Sequence, residues 1–566
     1  MRHWRHLKWP GAFPELGKAR QALSHGSERA LPGRRGRGHG RRRERREPFW
    51  PRAVCPAAVF ALALGAAAAP AGAASAAALH VVELRLPWPV RNEPIAIRPS
   101  PRVPPEVVVV GYGEGGSPEL AVFSPDVAGR LPVRPSRLLE LPADLVGFDV
   151  GPAPGPAAPG DALYLLTPSA LLRWDAGGER LERVLEIASV YRVRPSGGPV
   201  RIDFLRDADG DGKEDLVLPG FDAYRVALFS GGSFGPVRSL PVVARMRIDG
   251  GAFVYSPVPL ELADVDLDGR PDAFFVEDDS LVVLPAVAAE RPPPARRLPL
   301  GFALRDARTS GTVIEAGGTG DAGPDRTVLA IADLDGDGLV DVLARTSAGS
   351  GLFGRRYALE LWRGRRRSRG VGFPAAPDCR IETGLPVAPP TIADLDGDGR
   401  LDLSFGSIDL GLGSLVSALL TGSISIHVSF HRMAENRCYA EEPSASERLR
   451  VEFDLSTGRS SVPVLRLADL DGDGRADLVV GEGEDRLSIR SGAGSDDLFA
   501  ATAATVEVPL PADGQLVTAS DLDGDGRDDL VVRYGDDDGE ERERTLRLLL
   551  SARLGSPAAA PAAPAR

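Results

Sequence analysis

The chain has 566 residues, of which 43% are hydrophobic, 26% charged and only 6% aromatic. That length exceeds one ordinary domain and can bury a large core, while 65 Gly and 50 Pro disfavour long helices and coiled coils, and the apolar content argues against wholesale disorder. Residues 1–52 hold 15 Lys/Arg and 4 Glu, so the remainder carries a formal charge of −23; such a body repels phosphate backbones, which disfavours nucleic acid, and attracts divalent cations. Only three of the 67 basic residues are Lys (Lys8, Lys18 and Lys213), a bias together with Ala, Gly and Pro that points to GC-rich coding, so isolated Arg clusters receive little weight.

The chain opens on a basic leader that reaches the run Arg41 to Arg46. An apolar stretch, 53–69, and the small residues Ala71 to Ala78 follow. Basic, apolar, then small is the order of a secretory signal peptide, so residues 1–78 read as leader plus signal. An N-terminal anchor is the rival, but the apolar core is short and broken by Pro56 and Pro70. Cys55 precedes that core and does not suit a lipoprotein anchor. No later segment has about 18 uninterrupted apolar residues, so no membrane span is expected after cleavage. The expected destination is secreted, periplasmic or cell-surface.

Residues 79–200 contain strand-like EVVVVGYG (Glu106 to Gly113), ELAVFS (Glu119 to Ser124) and ALYLLT (Ala162 to Thr167). The stretch Phe148 to Asp161 has the outline of a degenerate acidic loop.

From residue 201 a nine-residue pattern, D-x-D-x-D-G-x-x-D, recurs six times at intervals of 57, 69, 61, 75 and 52 residues. Its carboxylates are Asp207, Asp209, Asp211 and Asp215 in the first loop and Asp264, Asp266, Asp268 and Asp272 in the second. The third has Asp333, Asp335, Asp337 and Asp341; the fourth Asp394, Asp396, Asp398 and Asp402. The fifth has Asp469, Asp471, Asp473 and Asp477; the sixth Asp521, Asp523, Asp525 and Asp529. Carboxylates at positions 1, 3 and 5 converge only if the backbone curls tightly, and position 6 is Gly in every copy. The backbone carbonyl of position 7 (Lys213, Arg270, Leu339, Arg400, Arg475 and Arg527) can add an oxygen, and the ninth Asp can close the shell in bidentate fashion. An all-oxygen shell that can exceed six ligands favours Ca²⁺ over Mg²⁺, and softer metals lack His and Cys. About six Ca²⁺ are expected.

An EF-hand would need Glu at position 12 between helices. Here that position is Leu218, Phe275, Ala344, Phe405, Val480 or Val532, inside a strand-like run, so each loop is a hairpin connection. Further strands follow, as in AYRVALFS (Ala223 to Ser230), YALELWR (Tyr357 to Arg363) and RLSIRSGAG (Arg486 to Gly494). Four short strands per unit of about 60 residues is the pattern of a β-propeller blade.

These units resemble the FG-GAP/VCBS repeats of integrin-α-like propellers, in which such a loop joins the first two strands of a blade. FSGGSFG (Phe229 to Gly235) matches the Gly-rich, Phe-containing turn of that family, and the resemblance covers roughly residues 200–550. It implies an all-β, seven- or eight-bladed β-propeller with calcium-binding hairpin loops. The 127 residues between His80 and Asp207 leave room for two degenerate blades, giving eight; seven is the family habit. The boundaries expected are 79–200 for degenerate blades, 201–553 for six calcium-loop blades and 554–566 for an Ala/Pro tail. After Asp529 only two strands are clear, so a strand near Leu79–Leu86 should complete the last blade.

Catalytic material is sparse. Beyond the leader lie His80, His427 and His431, and the last two form HVSFH without the Glu of a zinc protease, which reads as ordinary surface His. No nucleophile elbow or phosphate-cradling loop is present, although a carboxylate-based glycosidase or lyase leaves no short motif. Cys379 and Cys438 can form one disulfide or remain buried thiols. RGRRRSRG (Arg363 to Gly370) reads as a solvated basic hairpin tip, with a dock for anionic polysaccharide or lipopolysaccharide as the alternative. The insertions Asp278–Arg326 and Ser404–Val462 enlarge loops or outer strands, and Gly406 to Ile426 is too interrupted for a membrane helix. The expected function is that of a monomeric, secreted, calcium-stabilised module binding a protein or glycan; a secreted polysaccharide hydrolase or lyase is the alternative.

Overall fold

The computed structural model describes residues 79–551 apart from short internal stretches, the longest being 305–324. The leader, the signal segment and the Ala/Pro tail lie outside the described residues.

Eight main sheets follow one another along the chain. The first blade runs through Ile95–Ile97, Glu106–Tyr112, Pro118–Phe123 and Arg137–Glu140, each strand antiparallel to the next. The second to seventh blades occupy 147–186, 205–240, 261–299, 325–383, 391–453 and 465–507. In the eighth, Val517–Ser520, Asp529–Val532 and Thr545–Leu550 are joined by the most N-terminal of the described strands, His80–Arg85, in the register His80↔Leu550 to Arg85↔Thr545. The first described strand therefore completes the last blade, as the strand shortage after Asp529 predicts. Eight blades, two of them without the acidic loop, replace the alternative of seven.

The second strands are short, nearly unbroken apolar runs because they are buried on both faces. Side chains alternate across a strand, so Val107 and Val109 point into one interface and Val108 and Val110 into the next. The same split sends Leu530 and Val532 toward the seventh blade and Val531 toward the first. One hydrophobic cluster fills each junction between consecutive blades, and the cluster around Leu84, Val109, Phe123 and Leu548 closes the eighth blade on the first. Burying an aliphatic side chain this way contributes roughly 1.5–3 kcal/mol, so neighbouring blades hold one another.

Antiparallel order fixes what lies at each rim. The connections between first and second strands, where all six acidic loops fall, share a rim with those between third and fourth strands. That rim also carries the Arg365–Arg367/Gly370–Gly372 hairpin expected from RGRRRSRG. The opposite rim carries the blade-to-blade connections, among them the Arg245–Asp249/Ala252–Ser256 hairpin. The Ser404–Val462 insertion is largely strand, including the nine-residue Ser423–His431 and Ala445–Phe453. In Asp278–Arg326, the strands Ser280–Leu284 and Arg296–Pro299 precede a long blade-to-blade connection.

Candidate metal centres

Each acidic loop joins two paired strands, and its ninth Asp is the first residue of the second strand. The local fold is a web of backbone N–H groups donating to the loop's own carboxylates. The N–H of the sixth-position Gly donates to Oδ2 of the first Asp in all six loops, from Gly212 to Asp207 at 2.9 Å through Gly526 to Asp521 at 3.0 Å. The seventh N–H donates to Oδ1 of the fifth Asp at 2.8–3.0 Å. These bonds require φ near +80° to +91° at the sixth residue, a conformation natural only to Gly.

The fourth position is also left-handed, which the motif alone does not announce. It is Gly in five loops and Leu267 (φ 66°) in the second. Leu267 packs against the cluster holding Leu339, the seventh residue of the third loop. Apolar contact thus accompanies an uncommon backbone state for Leu, whose cost is about 1 kcal/mol.

The ninth Asp residues are at most 2% exposed. Oδ2 of each accepts the N–H of the loop's second residue at 2.9–3.1 Å. In five loops Oδ1 accepts a second N–H, from Phe229, Gly364, Met433, Gly492 or Ser551, just past the third strand. The ninth Asp is therefore a structural pin as well as a possible ligand. Burial pushes Asp341, Asp402 and Asp529 up to about 7 and Asp215 and Asp477 up to about 6, with neighbouring loop carboxylates adding to the shift.

In the first four loops, one oxygen from each of positions 1, 3 and 9 lies within 4.8 Å of the others; in the fifth, positions 1, 3 and 5 meet this limit. Oxygens sharing one Ca²⁺ at 2.3–2.6 Å span at most about 5 Å, so the spacing fits a common ion. The buried Oδ1 of Asp266 has no hydrogen-bond partner. Asp523, enclosed beside Asp525, is pushed up to about 7 by burial and by that neighbour. Crowded, desolvated carboxylates of this kind are what a hard cation relieves, so the donor set fits calcium. Such an ion would supply positive charge and cross-link the strands of the blade.

Consecutive loops are also tied to one another. Leu401 N donates to Leu334 O at 2.8 Å, Ala476 N to Leu395 O at 3.1 Å, and Asp528 N to Asp469 O at 2.7 Å. The Arg98 guanidinium, from the first blade, donates to the carbonyl of Asp523 in the sixth loop. Sequence reasoning missed Arg98, as it discounted the arginines that pair with loop carboxylates: Arg363 to Asp335 at 2.8 Å, Arg432 to Asp396 at 2.6 Å and Arg437 to Asp337 at 2.8 Å. Only the third-strand register of Arg363 and Arg432 could have signalled them.

The remaining candidates resolve differently. His431 is buried rather than at the surface; its Nδ1 lies 2.8 Å from Ala440 O, its ring stacks on Phe405, and burial lowers its pKa. It is a core histidine. Cys379 and Cys438 form a disulfide between the fifth and sixth blades. Phe229 and Phe234, from the Gly-rich turn, meet edge-on at 5.2 Å, and Phe234 packs on Tyr164 of the second blade.

A family model for FG-GAP-like repeats matches residues 469–532, the fifth and sixth loops with the blade between them. No curated protein matches. Among solved structures, an Agrocybe aegerita lectin that recognises non-reducing terminal N-acetylglucosamine is 17% identical, with 75% of this chain and 94% of that one covered, at a TM-score of 0.34. The Dos1 propeller is 9% identical over 82% of this chain and 94% of its own, also at 0.34. Likenesses at such TM-scores say nothing of ligand or activity. The matched repeat, its recurrence and the eight closing sheets make this chain an FG-GAP-repeat β-propeller.

Proposed function

We propose that the chain is a secreted, calcium-stabilised propeller that presents a rigid binding surface for a protein or glycan. The observation that carries this reading is the convergence of three carboxylate oxygens within one ion's span in loop after loop along a single rim. With Kd about 10⁻⁴ M in about 1 mM Ca²⁺, each site adds roughly 1.4 kcal/mol. Six such sites would give about 8 kcal/mol, comparable to the whole stability of a typical domain. The ions keep the ring closed, and the ligand contacts the opposite rim, where Met246 and Tyr255 of the Arg245–Asp249/Ala252–Ser256 hairpin are exposed, Tyr255 edge-on against Phe221. Loops on a rigid scaffold are where recognition usually resides. An array of glycans and surface proteins, probed with and without Ca²⁺, tests the reading. Calcium-dependent binding abolished by Tyr255→Ala supports it; turnover of a bound polysaccharide would replace it with the enzyme alternative.

A further inference from the structure

The six loops differ in the company of their third-position carboxylates. Arg363 follows the third strand of the fifth blade, and its Nε donates to Asp335 Oδ2 at 2.8 Å. Arg432 holds the equivalent place in the sixth blade, and its Nε donates to Asp396 Oδ2 at 2.6 Å. Arg437 brings a second guanidinium to the third loop, 2.8 Å from Asp337 Oδ2 and 3.6 Å from Asp335 Oδ2. The side chains of Asp335 and Asp396 are 0% and 2% exposed, so solvent screens these pairs little. In the second loop Asp266 pairs with the more exposed Arg296 at 3.2 Å. Among the described residues, Asp209, Asp471 and Asp523 form no ion pair with Lys or Arg; their loops hold one cation each on the fifth Asp (Lys213, Arg475 and Arg527), with Arg98 also reaching the sixth loop. The fourth loop, by contrast, has Arg400 on Asp398 in addition to Arg432.

Arg432 and Arg437 stand on one excursion, Arg432 to Ala440, which reaches from the fourth loop to the third. It is held by Met433 N donating to Asp402 Oδ1 at 2.7 Å, by a turn in which Arg437 N donates to Ala434 O at 2.8 Å, and by the Cys379–Cys438 disulfide. Arg437 adopts a left-handed backbone (φ 61°), uncommon for such a residue. The third loop is also the one with no base at its seventh position, where Leu339 stands. Arg437 gives Asp337 the cation that Lys213 and Arg475 give to the fifth Asp of their own loops.

We propose that this disulfide-held excursion, with Arg363, supplies built-in cations to the third and fourth loops. The first and fifth loops, with one cation each, are then the tight divalent-cation sites and the third and fourth, with two each, the weak ones, with the second and sixth between. The inference rests on the calcium reading above and ranks its sites. A fixed guanidinium cancels part of the charge that draws a divalent ion, and ligand charge sets the affinity of oxygen-only loops.

Calcium titrated calorimetrically into the chelator-stripped full chain tests the ranking. The wild type should show tight and weak classes of site at least roughly tenfold apart in Kd, with a tight class of about two ions. Asp471→Asn should remove one tight ion, and the double variant R432Q/R437Q should move at least one ion from the weak class to the tight one. A single class in the wild type overturns the ranking, and that measurement needs no variant to fold. A double variant with unchanged classes or weaker binding overturns it too. A chain that takes up no calcium defeats the parent reading as well, whereas uniform binding defeats the ranking alone.

Discussion

In the second blade the connection between the first two strands runs from Pro152 to Asp161 without an acidic repeat, whereas in the third to eighth blades it is a nine-residue loop carrying four carboxylates. Asp161 still begins the second strand, as every ninth-position Asp does, yet it is exposed where those are buried. A different carboxylate does the pinning. Asp149, buried on the first strand, accepts the N–H groups of Phe204 and Leu205 at 3.0 Å each. In the first blade Glu106 begins the second strand and accepts from the side chains of Ser124 at 2.6 Å and Arg137 at 2.7 Å, while Arg98 reaches across to the sixth loop. The four-stranded sheet and its apolar junctions therefore form without the motif. Within the motif the first, fifth and ninth Asp all accept backbone N–H groups, the ninth from the buried start of the second strand; the crowding of their charges is what calls for an ion.

That contrast can be broken by experiment, and chelation should have the largest effect. Stripping calcium is expected to lower the melting temperature by tens of degrees. Hydrogen exchange should show protection falling in the third to eighth blades before the first two. An unchanged melt in EDTA would remove calcium from the account. Next comes a contrast within one loop. Asp477→Ala orphans the N–H groups of Leu470 and Gly492 and should cost about 3 kcal/mol with or without calcium. Asp471→Asn should cost stability only when calcium is present; equal losses for both variants in EDTA would erase the distinction between pin and ligand.

The loop-free blades supply two finer tests. Burial raises Asp149 to about 6, above its unfolded value near 4, so the folded chain holds the extra proton between these values. Its contribution is full below about pH 4 and is lost as pH rises through about 6, roughly 3 kcal/mol in all. Urea midpoints followed from pH 4 to 7 in saturating calcium should show this slope in the wild type and less of it in Asp149→Asn. The smallest effect belongs to Asp161→Asn, which should stay within about 0.5 kcal/mol because the side chain is exposed. A larger loss would mean that the degenerate loop still acts as its acidic counterparts do.

Much of this architecture is legible in the sequence because it is local. Asp at alternate positions and Gly at the sixth set the loop; unbroken runs such as VVVV at 107–110 mark strands buried on both faces. Even the closing strand follows from a shortage, since two strands after Asp529 cannot complete a blade. What stayed hidden depends on distant residues. Arg437 is 100 residues from Asp337 and Arg98 is 425 from Asp523, and neither stands out in a chain whose cations are nearly all arginine. The disulfide could not be chosen over free thiols, because spacing does not reveal that the excursion of one blade folds onto the last strand of its neighbour. His431 looked superficial since one residue cannot show which side of a sheet is covered.

The pairing of His80 with Leu550 places the two ends of the ring side by side. A circularly permuted chain, joined there and reopened at the exposed Asp278–Asp279 turn, would keep every sheet intact and run as a monomer on size exclusion. Deleting 79–86 instead would strip the eighth blade of its margin and leave Thr545–Leu550 as a bare apolar edge, a template for a second molecule, so that variant should elute as oligomers.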